Sequence, residues 1–395
     1  MPAMLDHSPA RENRDLAELS IAVVAGLAFA LIALFVVTVP IAGNLAASRD
    51  FVSYWATGRQ LIRHADPYDA QAVGTLERSA GFQYKQVVLL MRNPPWALPL
   101  VYPLGLLGIR VAAILWTLIL LGCFLLSLRI AHRLYGSPAN RIHWLGFAFT
   151  PAFLCVTMGQ TTLLALLGLV LFLRFHRDRP FAAGAALWLC ALKPHLLLPF
   201  AAALALWIVI SRSYQVLAGA VAALALSSFL AFLIDPRAWT GYVRLMRSSA
   251  VQNDTIPCLA DALRHWLPPQ AAWVQYLPAL LSSLWALVYF CRKRSAWSWT
   301  THGNLLVLVS LLAAPYCWLY DQCLAIPALL GGAYACGSRK LLLVFPLLIL
   351  AMDIEICVVK IFSPLYLWTA PAWLAWYLFA RASAAAGGSR STAQA

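Results

Sequence analysis

Val216 to Ile234 reads VLAGAVAALALSSFLAFLI, an uncharged stretch with Arg212 before it and Asp235 after it. As a helix rising about 1.5 Å per residue, it reaches across the ~30 Å of hydrocarbon in a bilayer. Comparable runs recur along the chain: Ile21–Ile41, Arg110–Leu128, Ile142–Met158, Thr161–Leu173, Phe181–Leu192, His195–Ile210, Ala271–Phe290, Asn304–Ala314, Cys323–Cys336, Leu341–Met352 and Phe362–Phe379. The 395 residues are 62% hydrophobic and 11% charged, and the mean hydropathy is +0.75. A soluble domain cannot carry that balance, so the expectation is an all-α, polytopic integral membrane protein with about twelve crossings. Several runs are short, and those beside Gly159, Lys193 and Pro315 allow broken or paired half-spans.

The net charge of +14 suggests nucleic acid until the charges are placed. Arg129/Arg133/Arg141, Arg174/Arg177/Arg179, Arg212, Arg292/Lys293/Arg294, Arg339/Lys340 and Arg381 all fall in gaps between apolar runs or after the last one. That is the pattern of cytoplasmic segments under the positive-inside rule, and no nucleic-acid partner is expected. Both termini are then cytoplasmic: a polar tail over 1–20, a membrane domain over 21–380, and an Ala/Gly/Ser-rich tail over 381–395 expected to be disordered. Ile21–Ile41 is longer than a signal-peptide core and lacks a convincing cleavage site, so it reads as a retained first helix. The nine cysteines are scattered and mostly within apolar runs, without Cys-x-x-Cys spacing. They read as core residues, with neither a metal site nor a disulfide framework indicated.

The same topology leaves two long outward segments, 42–93 and 235–270, and puts ten of the fifteen acidic residues on the outward side. Chemistry is therefore sought there. The first segment contains Arg49-Asp50-Phe51-Val52-Ser53-Tyr54-Trp55-Ala56-Thr57-Gly58 and reaches a turn at Asp66-Pro67-Tyr68. Near-helical spacing of Phe51, Tyr54, Trp55, Leu61 and Ile62 predicts an amphipathic helix lying along the outer interface. Ala70–Met91 is a second candidate of that kind, and Asn93-Pro94-Pro95-Trp96 begins an apolar stretch that can dip into the membrane.

Each polar candidate has two readings. Asp50 is either a base for a hydroxyl proton or the N-cap of the helix starting at Phe51. Lys193, in Lys193-Pro194-His195, either binds an anionic phosphate as a point charge or snorkels to the headgroups, and His195 is a weaker companion. Arg49 can pair with phosphate, a headgroup or Asp50. Gln160 can bond sugar hydroxyls or close the turn Gly159-Gln160-Thr161. Tyr54 and Trp55 can stack on a sugar face or belong to an interfacial aromatic belt. Asp321 can orient an acceptor, position Lys193 or cap a helix. Arg244 and Arg247, near Trp239 and Tyr242, suggest a basic face in the second outward segment.

From about Ser48 to Leu330 the chain resembles glycosyltransferase family 87, polyprenol-phosphate-sugar-dependent enzymes of the GT-C superfamily. The resemblance rests on Asp50-Phe51 with Tyr54, Trp55, Gly58 and Asp66-Pro67-Tyr68; Asn93-Pro94-Pro95-Trp96 leading to Pro103-Leu104; Gly159-Gln160-Thr161; Gly184 with Lys193-Pro194; and Pro315 with Trp318. It implies a transferase, mannosyl first and arabinofuranosyl as the alternative, that moves sugar from a polyprenyl-phosphate carrier to a glycolipid or polysaccharide. The expected place is the outer face of a bacterial cytoplasmic membrane, in cell-envelope biogenesis. By the resemblance Asp50 is the general base; on the residue readings above, Lys193, His195 and Arg49 are the candidates for the donor phosphate, and Tyr54, Trp55, Gln160 and Asp321 for sugar or acceptor. No cofactor, metal or obligatory protein partner is implied. Where family members often carry a histidine after Pro-x-x-Trp, this chain has Tyr320-Asp321. A flippase for a lipid-linked sugar is the rival class, disfavoured because the polar residues gather at one face without repeat symmetry.

Overall fold

The computed structural model describes residues 23, 26–27, 50–82, 87–248, 256–267, 269–359 and 363–392. All regular structure among them is helical. The expected first span, Ile21–Ile41, falls almost wholly outside these residues, and Arg49 falls outside them too.

The outward segment folds as a helical hairpin, α1 (Phe51–Ile62) and α2 (Ala70–Ser79), joined through the Asp66-Pro67-Tyr68 turn. Asp66 accepts the Tyr68 amide in that turn, and Asp69 caps α2 by accepting from the amides of Gln71 and Ala72. The surface helix expected over Phe51–Ile62 is instead buried along nearly its whole length, from Phe51 to Leu61 with Arg59 alone partly exposed. The reason is in its small residues. Gly58 lies against the backbone of Val101 and Gly105, and a Cβ on either glycine would overlap the other's chain. The predicted helix over Ala70–Met91 also stops early, at Ser79, because Gly81 turns the chain at φ +100° and residues 87–90 continue without regular structure. Residues 95–106 then form three short turns of helix rather than a span.

The bundle follows: α3 (Ile109–Leu134), α4 (Thr150–Met158), α5 (Thr162–Phe175), α6 (Pro180–Cys190), α7 (Leu198–Ile210) and α8 (Tyr214–Ile234). A pair of short helices, α9 (Ala238–Arg247) and α10 (Leu259–Trp266), precedes α11 (Leu277–Lys293), α12 (Asn304–Ala313), α13 (Ile326–Ala335), α14 (Arg339–Val358) and α15 (Thr369–Thr392). The last helix runs beyond Ala382, where a disordered tail was expected to begin.

Among the described residues four helices are long and apolar enough to cross a membrane, Ile109–Leu134, Tyr214–Ile234, Trp273–Ala296 and Arg339–Val358, and five shorter apolar ones lie among them. The count of twelve crossings is not confirmed. The shorter helices are interrupted at Gly159 and around Lys193, and such breaks are tolerated at membrane depth only where protein satisfies the freed backbone groups. The long helices turn large apolar side chains outward, among them Ile114 and Leu118 on α3, Phe229 and Leu233 on α8, and Leu280 on α11. Lipid is the solvent that such a surface fits. The stretch read first, on α8, packs along α6 through two glycines: Gly184 meets the carbonyl of Val216, and Gly219 meets the carbonyl of Phe181. Small residues give membrane helices this close backbone approach.

Candidate active site

Asp50 immediately precedes α1 with helical angles, φ −56° and ψ −22°, and its carboxylate makes no capping bond. Its carbonyl accepts the Ser53 hydroxyl at 2.7 Å. The carboxylate turns elsewhere and accepts the Gln160 amide Nε2–H at 2.6 Å. Of the two readings of Asp50, the helix cap is therefore the one the geometry removes.

Gln160 arrives there through a tight turn. Gly159 ends α4 in the left-handed region at φ +73°, and a Cβ on it would strike Phe51. The Gly159 carbonyl accepts the Trp116 indole N–H at 2.7 Å, and the amide of Gln160 closes back on the Cys155 carbonyl at 2.9 Å. The Gln160 carbonyl oxygen accepts the Tyr54 hydroxyl at 3.1 Å, so both ends of its side-chain amide are engaged and its orientation follows from the partners. Tyr54 in turn packs on Trp116 with ring centroids 5.7 Å apart. Trp55 points away: its indole donates to the Leu107 carbonyl at 2.9 Å, and Arg59 lies over its ring. Neither aromatic belongs to an exposed belt.

Lys193 supplies the other half. It sits between α6 and the short turn Pro194–Leu197, with its ammonium 2.7 Å from Asp321 Oδ1. The same oxygen accepts the Thr162 hydroxyl at 2.5 Å, and the second carboxylate oxygen accepts the Trp318 amide at 3.1 Å. The ammonium also lies 5.0 Å from the Tyr320 ring. The Lys193 side chain is 11% exposed and that of Asp321 1%, so this is a buried pair rather than a snorkelling lysine. Asp321 combines two of its expected roles: it positions Lys193, and it closes the turn Leu319–Ala325 by holding the Trp318 amide.

What aims Lys193 is the motif Asn93-Pro94-Pro95-Trp96. Asn93 donates to the Leu192 carbonyl at 2.8 Å and to the Thr161 hydroxyl at 3.3 Å, and the Trp96 indole donates to the Ala191 carbonyl at 2.9 Å. These bonds hold the last residues before Lys193 and join them to the Gln160 turn. In the sequence this motif reads as the start of a membrane dip and as part of the family resemblance, with no bonding role for Asn93, and Thr162 is not singled out. A polar residue followed by two prolines at the foot of an apolar run was the available signal.

His195 stacks on Tyr316 at 3.7 Å between ring centroids, and its Nε2 is buried without a partner. Arg244 and Arg247 are exposed on α9, apart from this cluster. The site thus unites Asp50, Tyr54, Gln160, Lys193 and Asp321, with His195 alongside.

Its electrostatics follow from burial. Loss of solvent raises the Asp50 carboxyl above the ordinary carboxylate range; the Gln160 bond and the Lys193 charge pull it back, and the Asp321 charge pushes it further up. Burial, with the Asp50 charge second, also raises the Tyr54 phenol, which stays protonated and a donor. A carboxylate held by a neutral amide, beside a cation held by another carboxylate, can take a proton on one side and face an anion on the other.

The sequence pattern of glycosyltransferase family 87 matches residues 92–315, more than half of the chain. That segment carries Gln160, Lys193 and His195, whereas Asp50 and Asp321 lie outside it. Neither a curated protein nor a solved structure is significantly similar to the chain.

Proposed function

Because this chain belongs to glycosyltransferase family 87, we propose that it moves a sugar, mannose in the first instance, from a polyprenyl-phosphate carrier to a glycolipid or polysaccharide at the outer face of a bacterial cytoplasmic membrane. In the reaction the acceptor hydroxyl oxygen attacks the anomeric carbon, and its proton passes to the Asp50 carboxylate. The bond from that carbon to the phosphate oxygen breaks as the new bond forms, and its electron pair leaves with the phosphate. Lys193 offsets the charge gathering there. Gln160 and Tyr54 keep Asp50 aimed, and Asp321 keeps Lys193 in place. Arg49, adjacent to Asp50 in sequence, and His195 are further groups for the phosphate. The carrier lies among the membrane helices, so the domain over 21–380 works as one unit.

The observation that carries this reading is the Gln160 bond to Asp50: it withdraws the carboxylate from helix capping and sets it beside the Lys193–Asp321 pair. The cations in the short gaps between apolar runs, Arg129/Arg133/Arg141, Arg174/Arg177/Arg179, Arg212, Arg292/Lys293/Arg294 and Arg339/Lys340, with Arg381 after the last run, support the outward placement by the charge rule.

The test supplies purified protein with radiolabelled polyprenyl-phosphate mannose and candidate acceptors, with Asp50→Asn alongside. Transfer by the unaltered protein and its loss in the variant are expected. Transfer that persists in Asp50→Asn removes Asp50 as the base. Movement of the lipid across vesicles without any transfer favours the flippase, and activity with the arabinofuranose carrier alone reassigns the donor.

A further inference from the structure

Glu77 lies on α2 and takes no part in the chemistry above, yet it is 0% exposed. One carboxyl oxygen accepts the Leu89 amide at 3.2 Å, and the other is buried with no hydrogen-bond partner among the described residues. A carboxylate so placed has lost its water and received a single backbone donor in return, an environment that favours the neutral acid. The hairpin brings Glu77 back along α1 into electrostatic reach of Asp50. Among the described residues the charged groups that bear on Glu77 are Asp50 and Arg78, and those that bear on Asp50 are Lys193 and Asp321.

Three carboxyl groups are thus linked electrostatically, Glu77 to Asp50 and Asp50 to Asp321, and Lys193 is the cation paired with Asp321. Asp321 has three donors, one of them that ammonium. Asp50 has the Gln160 amide and the field of the same lysine. Among the described residues Glu77 has the weakest set of partners of the three, a single backbone amide. We propose that Glu77 is a proton-holding residue of this site: it stays a neutral carboxylic acid while the enzyme works, and its ionisation weakens binding of the anionic lipid carrier.

Burial, opposed by the Leu89 amide and by Arg78, raises the Glu77 carboxyl to about 7, and the Asp50 charge adds to the rise. The change of state therefore falls near neutral pH. Above it a second negative charge stands beside Asp50, opposing the carrier phosphate and raising the proton affinity of the base.

This inference rests on the donor reading above, so its test has one arm that does not need activity. In the first arm, infrared difference spectra between pH 6 and pH 8 are taken on the full chain in nanodiscs, for the unaltered protein and for Glu77→Gln. The glutamine keeps an acceptor for the Leu89 amide and cannot ionise. A protonated-carboxyl band at pH 6 that fades through about pH 7, and is absent from Glu77→Gln, is expected. A band unchanged by the substitution, or no such band, overturns the proposal whatever the enzyme transfers. In the second arm, KM for polyprenyl-phosphate mannose is followed over the same pH range. It should rise several-fold in the unaltered protein and stay flat in Glu77→Gln, with kcat at pH 6 within about threefold of the parent. Superimposable KM profiles, or an equal loss of kcat at every pH in a folded variant, overturn it.

Discussion

Asp50 and Asp321 are the same side chain in one site, and their surroundings make them opposites. Asp321 accepts from an ammonium, a hydroxyl and a backbone amide. Among the described residues Asp50 accepts from one neutral amide. A carboxylate with three donors, one of them an ammonium, is committed to its partners and serves to hold them in place. With a single amide donor and a partly buried position, a carboxylate can take a proton at modest cost. Role is set here by the number and charge of the donors rather than by residue type.

Breaking the comparison at its reactive end has the largest expected effect. Asp50→Asn keeps the shape and removes the base, and kcat should fall by about 10²–10⁴, the usual worth of a positioned general base, with little change in melting temperature. A variant of near-parental kcat would return Asp50 to a structural role.

Next comes the buried pair. Lys193→Met leaves Asp321 enclosed without its cation, and stability should fall by about 3–5 kcal/mol in reversible unfolding, as when one partner of a buried pair is removed. The double variant Lys193→Met with Asp321→Asn should recover much of that stability while recovering no donor binding. A double variant whose loss equals the sum of the losses in Lys193→Met and Asp321→Asn alone would show that the pair carries no coupling.

Gln160→Ala sharpens the contrast from the side of the base. The Gln160 bond lowers the Asp50 carboxyl and burial raises it, so removing the amide should move the acid limb of the pH–rate profile to higher pH. Activity should therefore be lost at a higher pH than in the parent as the solution is acidified, and recovered where Asp50 ionises. A limb that stays in place, or moves down, would show that Gln160 does not act on the base. The smallest effect is steric. Gly58→Ala pushes a methyl group into the backbone of Val101 and Gly105, and overpacking of this kind costs about 1–3 kcal/mol, measurable as a lower melting temperature.

Much of this fold was legible because bilayer physics is written in composition: helix after helix falls on an apolar run read from hydropathy, with ends shifted by a few residues. The crossing count was not, since a run of ten to fourteen apolar residues reads alike whether it spans, half-spans or is buried. The site was legible residue by residue, as Asp50, Gln160, Lys193 and Asp321 were all singled out. What the sequence could not reveal was the pairing among them. Gln160 meets Asp50 across 110 positions and Lys193 meets Asp321 across 128, distances over which spacing carries no information. The α1 surface was misjudged for a related reason: aromatic spacing suggested an interface, and only the contact of Gly58 with Gly105 reveals that the helix is enclosed.

The Lys193–Asp321 ion pair has a consequence for turnover. With the proposed lipid-phosphate donor, a lysine already satisfied by a carboxylate has to be drawn away, wholly or in part, by the incoming phosphate, so such a carrier would be held more loosely than by an uncommitted cation. The same competition would run in reverse once the sugar had gone. Asp321 would then reclaim the ammonium and evict the spent carrier, resetting the site for the next lipid.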